Sequence, residues 1–120
     1  MITSYKELHV WKKADELAHK VFDLTSEFPK SYLYDLTNRL RRAALSIPTN
    51  IAEGCASIHT KEFIQFLNIS RRSLNETRYL LDFAFTRNLV QKKLFEDLAL
   101  LLDEIGKMTN ALLGSLRSKH

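Results

Sequence analysis

The sequence predicts an all-α protein: an antiparallel, up-down-up-down four-helix bundle that forms a single domain over residues 1–120. Apolar residues recur at alternating steps of three and four along four segments, which is the spacing of one buried helix face. The chain contains only 3 glycines and 2 prolines, so the segments are joined by few and short turns. No segment alternates apolar and polar residues as a half-buried strand does.

The first predicted helix spans residues 7–28 and ends at Pro29. Its core face consists of Val10, Ala14, Leu17, Val21, Leu24 and Phe28. Residues 30–35 lack a helical period and are predicted to connect the first helix to the second. We expect Tyr32 and Tyr34 in this connector to pack over the end of the bundle.

The second predicted helix crosses a proline without losing its apolar period. Its core face consists of Leu36, Leu40, Ala43, Ala44, Ile47 and Ile51. Pro48 has no amide hydrogen to bond the carbonyl of Ala44, so we predict that the helix continues but is kinked at Pro48. Ser46 or Asn50 is close enough in sequence to supply a replacement donor. The alternative is a break at Ile47, because a residue before proline disfavours helical angles.

The third and fourth helices follow connectors at residues 54–59 and 87–91. Thr60 is predicted as the N-cap of the third helix, and Asn88 as a left-handed residue after its end. The core face of the third helix consists of Phe63, Leu67, Ser70, Leu74, Thr77, Leu81 and Phe85. The core face of the fourth consists of Leu94, Leu98, Leu101, Ile105, Met108, Leu112 and Leu116.

The composition limits the class of protein. Hydrophobic residues make up 45% and charged residues 27% of the chain, which excludes a disordered or collagen-like protein. The 18 basic and 14 acidic residues give a net charge of +4, which is compatible with an anionic partner. A single cysteine, Cys55, excludes an intramolecular disulfide. Because neither an export signal nor a membrane-spanning run is found, we expect a cytoplasmic protein.

Arginines are concentrated on the polar faces of the second and third helices. They are Arg39, Arg41, Arg42, Arg71, Arg72 and Arg78. Such residues neutralise phosphates of RNA or DNA without reading its sequence. The alternative is an ordinary solvated helix face. No aromatic residue is interleaved with these arginines along the sequence, which argues against base stacking.

Further apolar residues lie outside the core faces. Those predicted to form a subunit interface are Trp11, Phe22, Leu45, Phe66, Ile69, Leu80 and Phe83. Exposed apolar patches on small proteins usually mark sites of association. The alternative is that part of this set, with Ala18, belongs to a wide face buried within the monomer.

No catalytic or metal-binding motif is recognisable. Glu16 and His19 form one Glu-x-x-His pair, whereas a di-iron bundle needs two such pairs and two further glutamates. Cys55 and His59 lack an orienting acid and identifiable oxyanion donors. We therefore expect no enzymatic activity, no metal and no cofactor.

One long motif carries a family resemblance. Residues 41–54, with the sequence RRAALSIPTNIAEG, resemble the signature of the four-helix-bundle proteins encoded in intervening sequences of bacterial 23S ribosomal RNA genes. Flanking matches extend the resemblance over nearly the whole chain. They are Trp11 to Ala14, Leu17 and Ala18, Phe28 to Lys30, Leu36 and Thr37, Glu62 and Phe63, Phe66 and Leu67, Ser73 and Leu74, and Glu76.

The resemblance implies a small antiparallel bundle that assembles into a homopentameric ring and has no established enzymatic activity. A distantly related branch, the accessory variability proteins of diversity-generating retroelements, binds a reverse transcriptase and nucleic acid through a basic surface. Within the motif, Ser46, Pro48, Asn50, Glu53 and Gly54 are expected to act structurally, through a kink and through backbone or subunit contacts.

Two functions are compatible with these observations. The first is a ring-forming accessory factor that binds RNA or DNA through the six arginines. The alternative is a protein-protein interaction scaffold, without nucleic-acid binding, that engages a partner protein through Trp11, Phe22, Leu45 and Phe83.

Overall fold

The computed structural model describes residues 4–119, so residues 1–3 and His120 of the predicted domain lie outside the described part. The four main helices are α1 (His9–Thr25), α2 (Asn38–Cys55), α3 (Thr60–Thr86) and α4 (Lys92–Lys119). Each helix packs on the next in sequence, and α4 packs back on α1, in a molecule of 46 × 24 × 20 Å. The predicted all-α four-helix bundle is confirmed.

Helix α1 buries its predicted face but ends earlier than predicted. It stops at Thr25, where the Thr25 hydroxyl donates to the carbonyl of Val21 (2.8 Å) and the Ser26 hydroxyl donates to that of Asp23 (2.6 Å). The same bond from a threonine hydroxyl to the carbonyl four residues earlier occurs inside α3 at Thr77 and inside α4 at Thr109, so it accompanies the end of α1 and does not cause it. Because α1 ends at Thr25, Phe28 reaches the core from a turn, through a bond from its amide to the Thr25 carbonyl (3.1 Å).

The connector between α1 and α2 is helical, although its sequence has no helical period. It contains a 3-10 turn at Lys30–Tyr32 and a π turn at Leu33–Thr37 that leads directly into α2. Tyr32 packs against the core, and its hydroxyl accepts bonds from Nε and Nη2 of Arg87 (3.1 and 3.0 Å). Tyr34 is 80% exposed, so the prediction that it packs over the bundle end is wrong.

Helix α2 is continuous through Pro48, so the alternative of a break at Ile47 is wrong. The kink at Pro48 stays a prediction. Asn50 donates to the carbonyl and the hydroxyl of Ser46 (2.8 and 2.9 Å), and not to the carbonyl of Ala44 that the proline leaves without its helical donor.

Helix α3 buries its predicted face and differs from the prediction at its start. His59, in extended conformation, occupies the N-cap position, and Thr60 is the first helical residue. At the other end Asn88 is left-handed with φ of 64°, as predicted. The amides of Asn88 and Leu89 donate to the carbonyls of Phe85 and Ala84 (both 2.9 Å), which is a Schellman motif.

Helix α4 follows the predicted core face only over its first half. Leu98, Leu101 and Ile105 are buried as predicted, but Thr109 and Leu113 are buried where Met108 and Leu112 were expected. A helix of 3.6 residues per turn drifts by about 20° per heptad against a strict four-three pattern. Over the 28 residues of α4 this drift moves the buried face by one position.

Candidate nucleic-acid interface

Three motif residues of α2, Ser46, Ile47 and Asn50, form a polar seam with Ser70 and Ser73 of α3. Ser73 donates to the hydroxyl of Ser46 (2.8 Å), which also accepts from Asn50 (2.9 Å). The buried Ser70 donates to the carbonyl of Ile47 (3.0 Å), one residue before Pro48. The seam thus supplies cross-helix hydrogen bonds around the proline, which keeps buried polar groups satisfied.

The carboxyl end of the motif permits a close helix approach. Gly54 is buried, and a Cβ atom there would lie 2.6 Å from Cδ1 of Phe63 and 3.2 Å from Cβ of Phe66. A side chain at this position would therefore require the Phe63 ring to shift. Glu53 is exposed, and its backbone carbonyl accepts from the amide of Ala56 (3.2 Å).

The six predicted arginines do not share one face. On α3, Arg78 pairs with Asp103 of α4 (3.0 Å), and Arg71, seven residues earlier, lies on the same side by helical period. On α2, Arg39 pairs with Glu76 of α3 at 3.5 Å, on the opposite side of α3. Arg42 and Arg72 are exposed, and within residues 4–119 neither they nor Arg71 form an ion pair.

Arg41 is held by α1. Its Nε donates to Oγ1 of Thr25 (2.7 Å), its Nη2 donates to the carbonyl of Phe22 (3.3 Å), and its guanidinium lies 4.8 Å from the centre of the Phe22 ring. A cation at these last carbonyls also complements the negative end of the helix dipole. Two of the five guanidinium donors are used in this way, so Arg41 is a fixed charge with donors remaining.

The three arginines of α2 line a cleft of about 490 Å³ at the amino end of that helix. Its lining residues are Tyr34, Asn38, Arg39, Arg41 and Arg42, and we call this feature the arginine cleft. The lining includes no carboxylate, but Arg39 pairs with Glu76 at 3.5 Å, and Glu76 lines an adjoining pocket together with Arg39 and Arg42. The net positive charge of the cleft therefore comes from Arg41 and Arg42. The guanidinium fork matches the geometry of phosphate oxygens.

Tyr34 is the cleft residue that the sequence did not reveal. No aromatic residue is interleaved with the arginines along the sequence. In the folded protein, however, the π turn brings Tyr34 into the lining of the same cleft. The sequence spacing could have indicated that Tyr34 lies near the arginines, because Tyr34 precedes Asn38 by four residues, which is about one helical turn. That signal is readable only if the connector is already known to be helical.

The predicted interface residues divide into exposed and buried sets. Leu80 is only 6% exposed and packs in the core of the monomer, as Ala18 does, so the prediction of Leu80 as an interface residue is wrong. Trp11 and Phe66 are half-buried, and the Trp11 ring lies 4.8 Å from that of Tyr5. The exposed members are Phe22, Leu45, Ile69 and Phe83.

The residues with catalytic or ligating chemistry are scattered. Burial raises the pKa of the Cys55 thiol, which disfavours the nucleophilic thiolate. His19 lies 3.6 Å from Asp15 on the exposed side of α1. Residues 4–119 contain no group of three or more His, Cys, Asp or Glu side chains able to hold a metal ion. Within the same residues, no helix has the length and apolar character needed to cross a membrane.

Comparison with known proteins identifies the family. Residues 6–111 match the family model of the 23S rRNA-intervening sequence protein. A crystal structure of a protein of unknown function from the S23 ribosomal protein family of Bacteroides thetaiotaomicron superposes with a TM-score of 0.81. The two sequences are 24% identical, and the superposition covers 88% of this chain and 95% of the Bacteroides chain. This likeness is one of fold. Comparison with curated proteins gives no match. The chain belongs to the 23S rRNA-intervening sequence protein family.

Proposed function

We propose that the protein is a non-enzymatic accessory factor of the cytoplasm that binds RNA or DNA through its basic helix faces and works as a homo-oligomeric, pentameric ring. The observation that carries the proposal is the arginine cleft, which gathers three guanidinium groups without a carboxylate among its lining residues. Phosphate is the anion that nucleic acids present along their whole length, and arginine binds it without reading the base sequence.

Arg39 and Arg42 are free to reach phosphate. Arg42 is exposed and forms no ion pair within residues 4–119. The Arg39–Glu76 pair is long, at 3.5 Å, with about half of each side chain exposed, and such pairs contribute little to stability. Arg41 adds a charge that is already fixed in place by Thr25. On the opposite flank of α3, Arg71 and Arg78 would extend contact only secondarily, because Arg78 is paired with Asp103. Arg72, four residues before Glu76, lies by helical period on the flank that faces Arg39.

The ring is supported by the apolar side chains that the monomer leaves exposed. Leu45 is 50% exposed, and Phe22, Ile69 and Phe83 are exposed as well. Burying such side chains between subunits is the usual reason for a small protein to associate. A closed ring would present one arginine cleft per subunit to the same nucleic acid, so weak single contacts would add through high effective concentration.

The test is a fluorescence anisotropy titration of a labelled RNA over a range of salt concentrations, with native mass spectrometry of the same sample. We expect the affinity to fall by orders of magnitude between about 50 and 200 mM salt if several phosphates are contacted, and we expect a pentamer. Absence of binding to RNA and DNA at low salt would reject nucleic-acid binding, and a monomer at micromolar concentration would reject the ring.

A protein-protein scaffold is the second candidate, and a separate cleft favours it. A cleft of about 370 Å³ beside α3 is lined by Leu36, Leu80 and Phe83 together with polar groups such as Arg39 and Arg87. A partner that buries Phe83 there, with Trp11, Phe22 and Leu45 as further contacts, would bind with little dependence on salt. Salt-insensitive capture of a protein, with no nucleic acid bound, is the outcome that selects this function.

A further inference from the structure

Tyr34 is an aromatic side chain with no structural task in the monomer. It is 80% exposed. Within residues 4–119 it has neither a hydrogen bond nor a ring contact, in contrast to Tyr32, whose hydroxyl accepts from Arg87 and whose ring lies 5.9 Å from that guanidinium. An exposed tyrosine ring offers a flat apolar face and a polar edge, the combination that is enriched where a ligand or partner binds.

The ring lies on the wall of the arginine cleft. Tyr34 belongs to the π turn at Leu33–Thr37, in which the amide of Asn38 donates to the carbonyl of Leu33. About one turn, or about 5 Å of rise, separates it from Asn38, and Arg41 and Arg42 lie about one turn further along. A flat group stacked on the Tyr34 ring therefore has its attached charge within reach of the guanidinium groups.

We infer that the arginine cleft takes an unpaired nucleotide, with its phosphate on Arg39 and Arg42 and its base stacked on Tyr34, so that the preferred ligand is single-stranded RNA or DNA. This inference rests on the proposed nucleic-acid binding and narrows its substrate class. The cleft volume of about 490 Å³ lies within the range of small-ligand sites. Stacking on an aromatic ring needs the base face to be accessible, which a duplex does not offer within its length.

The geometry also favours recognition without base specificity. The side chains of the cleft other than Tyr34 are Asn38 and arginines. Arginine and a tyrosine ring suit any nucleotide, because every base has a stacking face and every nucleotide in a strand has a phosphate. The expected preference is thus for unpaired strands over duplexes, with little difference among base sequences.

The experiment measures anisotropy of a labelled single strand and of a blunt duplex of the same length at one low salt concentration. The variants are Tyr34→Leu, which removes the aromatic face, and Tyr34→Phe, which keeps it. Tyr79→Leu is the control for the loss of an exposed tyrosine ring, because Tyr79 on α3 does not line the arginine cleft, although it lines the neighbouring cleft that shares Arg39. Both substituted positions are on the surface, so all three variants are expected to fold, and circular dichroism checks this.

The expected result is tighter binding of the single strand than of the duplex by the wild-type protein. Tyr34→Leu should weaken single-strand binding by about fivefold or more, while Tyr34→Phe and Tyr79→Leu stay near wild type. Equal affinity for both ligands, or a Tyr34→Leu protein that binds the single strand as the wild type does, would overturn the inference and leave nucleic-acid binding standing. Absence of binding to either ligand would overturn the proposed function and the inference together.

Discussion

The two sides of α2 differ in how far contacts within the protein explain the residues found there. The side toward α3 carries the polar seam, where Ser46, Ser73 and Ser70 form cross-helix hydrogen bonds and Gly54 leaves room for Phe63. The outer side carries the arginine cleft, in which Arg41 is held by Thr25 and Phe22 and Arg39 pairs with Glu76. Within residues 4–119, the side chains of Arg42 and Tyr34 form no hydrogen bond or ion pair. The long motif that marks the family thus contains residues of both sides. Its Ser46, Asn50 and Gly54 positions are explained by contacts within the monomer, whereas Arg42 is exposed and makes no such side-chain contact within residues 4–119.

The largest effect is expected from a substitution that adds side-chain volume between α2 and α3. Gly54→Val places side-chain atoms where a Cβ alone would lie 2.6 Å from Phe63. We expect the free energy of unfolding to fall by about 1 to 3 kcal/mol, measured by urea denaturation. Gly114→Val is the control, because no atom outside its own helix lies within 4 Å of a Cβ at Gly114. Equal effects of the two substitutions would contradict the close approach of α2 and α3.

A finer comparison uses two adjacent arginines of the motif. Arg41 binds Thr25 and the Phe22 carbonyl of α1, whereas Arg42 is exposed and forms no ion pair within residues 4–119. Arg41→Gln should lower the free energy of unfolding by about 1 to 2 kcal/mol, since charged hydrogen bonds are lost. Arg42→Gln should change it by less than about 0.5 kcal/mol. Urea denaturation of both variants measures these changes. A larger loss of stability in Arg42→Gln than in Arg41→Gln would contradict the assignment of Arg41 as the arginine held by α1.

The smallest expected effect concerns the Arg39–Glu76 ion pair. Glu76→Gln removes a carboxylate 3.5 Å from Arg39 and leaves the arginine free for phosphate. We expect nucleic-acid affinity to rise severalfold, with stability changed by less than about 1 kcal/mol because the pair is exposed. The anisotropy titration measures this, and Asp103→Gln provides the control, because Asp103 pairs with Arg78 outside the arginine cleft. A loss of affinity in Glu76→Gln would contradict a role for Arg39.

Periodicity predicted most of the fold because burial on a helix repeats regularly. It correctly gave the four helices and the buried Leu17 and Leu81, whereas the left-handed Asn88 was predicted from the residue type at the helix end. It missed the drift along α4, which accumulates only over a long helix, and the end of α1 at Thr25, three residues before Phe28, the last residue of the apolar stripe.

The candidate site was less predictable than the fold. The arginines were visible as a set, but their division between two flanks depends on which neighbouring helix each one faces, as for Arg39 toward Glu76 and Arg78 toward Asp103. Tyr34 was placed in an irregular connector because a π turn leaves no signal in a 3.6-residue period. Leu80 looked like a surface residue because the buried face of α3 is wider than a single stripe.

The central claim is that nucleic acid binds at the arginine cleft, and a pair of double variants tests it most directly. One double variant carries Arg39→Gln and Arg42→Gln, and the other carries Arg71→Gln and Arg78→Gln. Each variant removes two positive charges, one from an arginine that is ion-paired and one from an arginine that is not ion-paired within residues 4–119.

Both double variants are titrated against the same labelled RNA at several salt concentrations. We expect the cleft variant to lose at least about tenfold in affinity and to show a shallower salt dependence, because each lost phosphate contact lowers the slope by about 0.7 to 0.9. The α3 variant should remain near wild type. Equal losses, or a larger loss in the α3 variant, would contradict the claim.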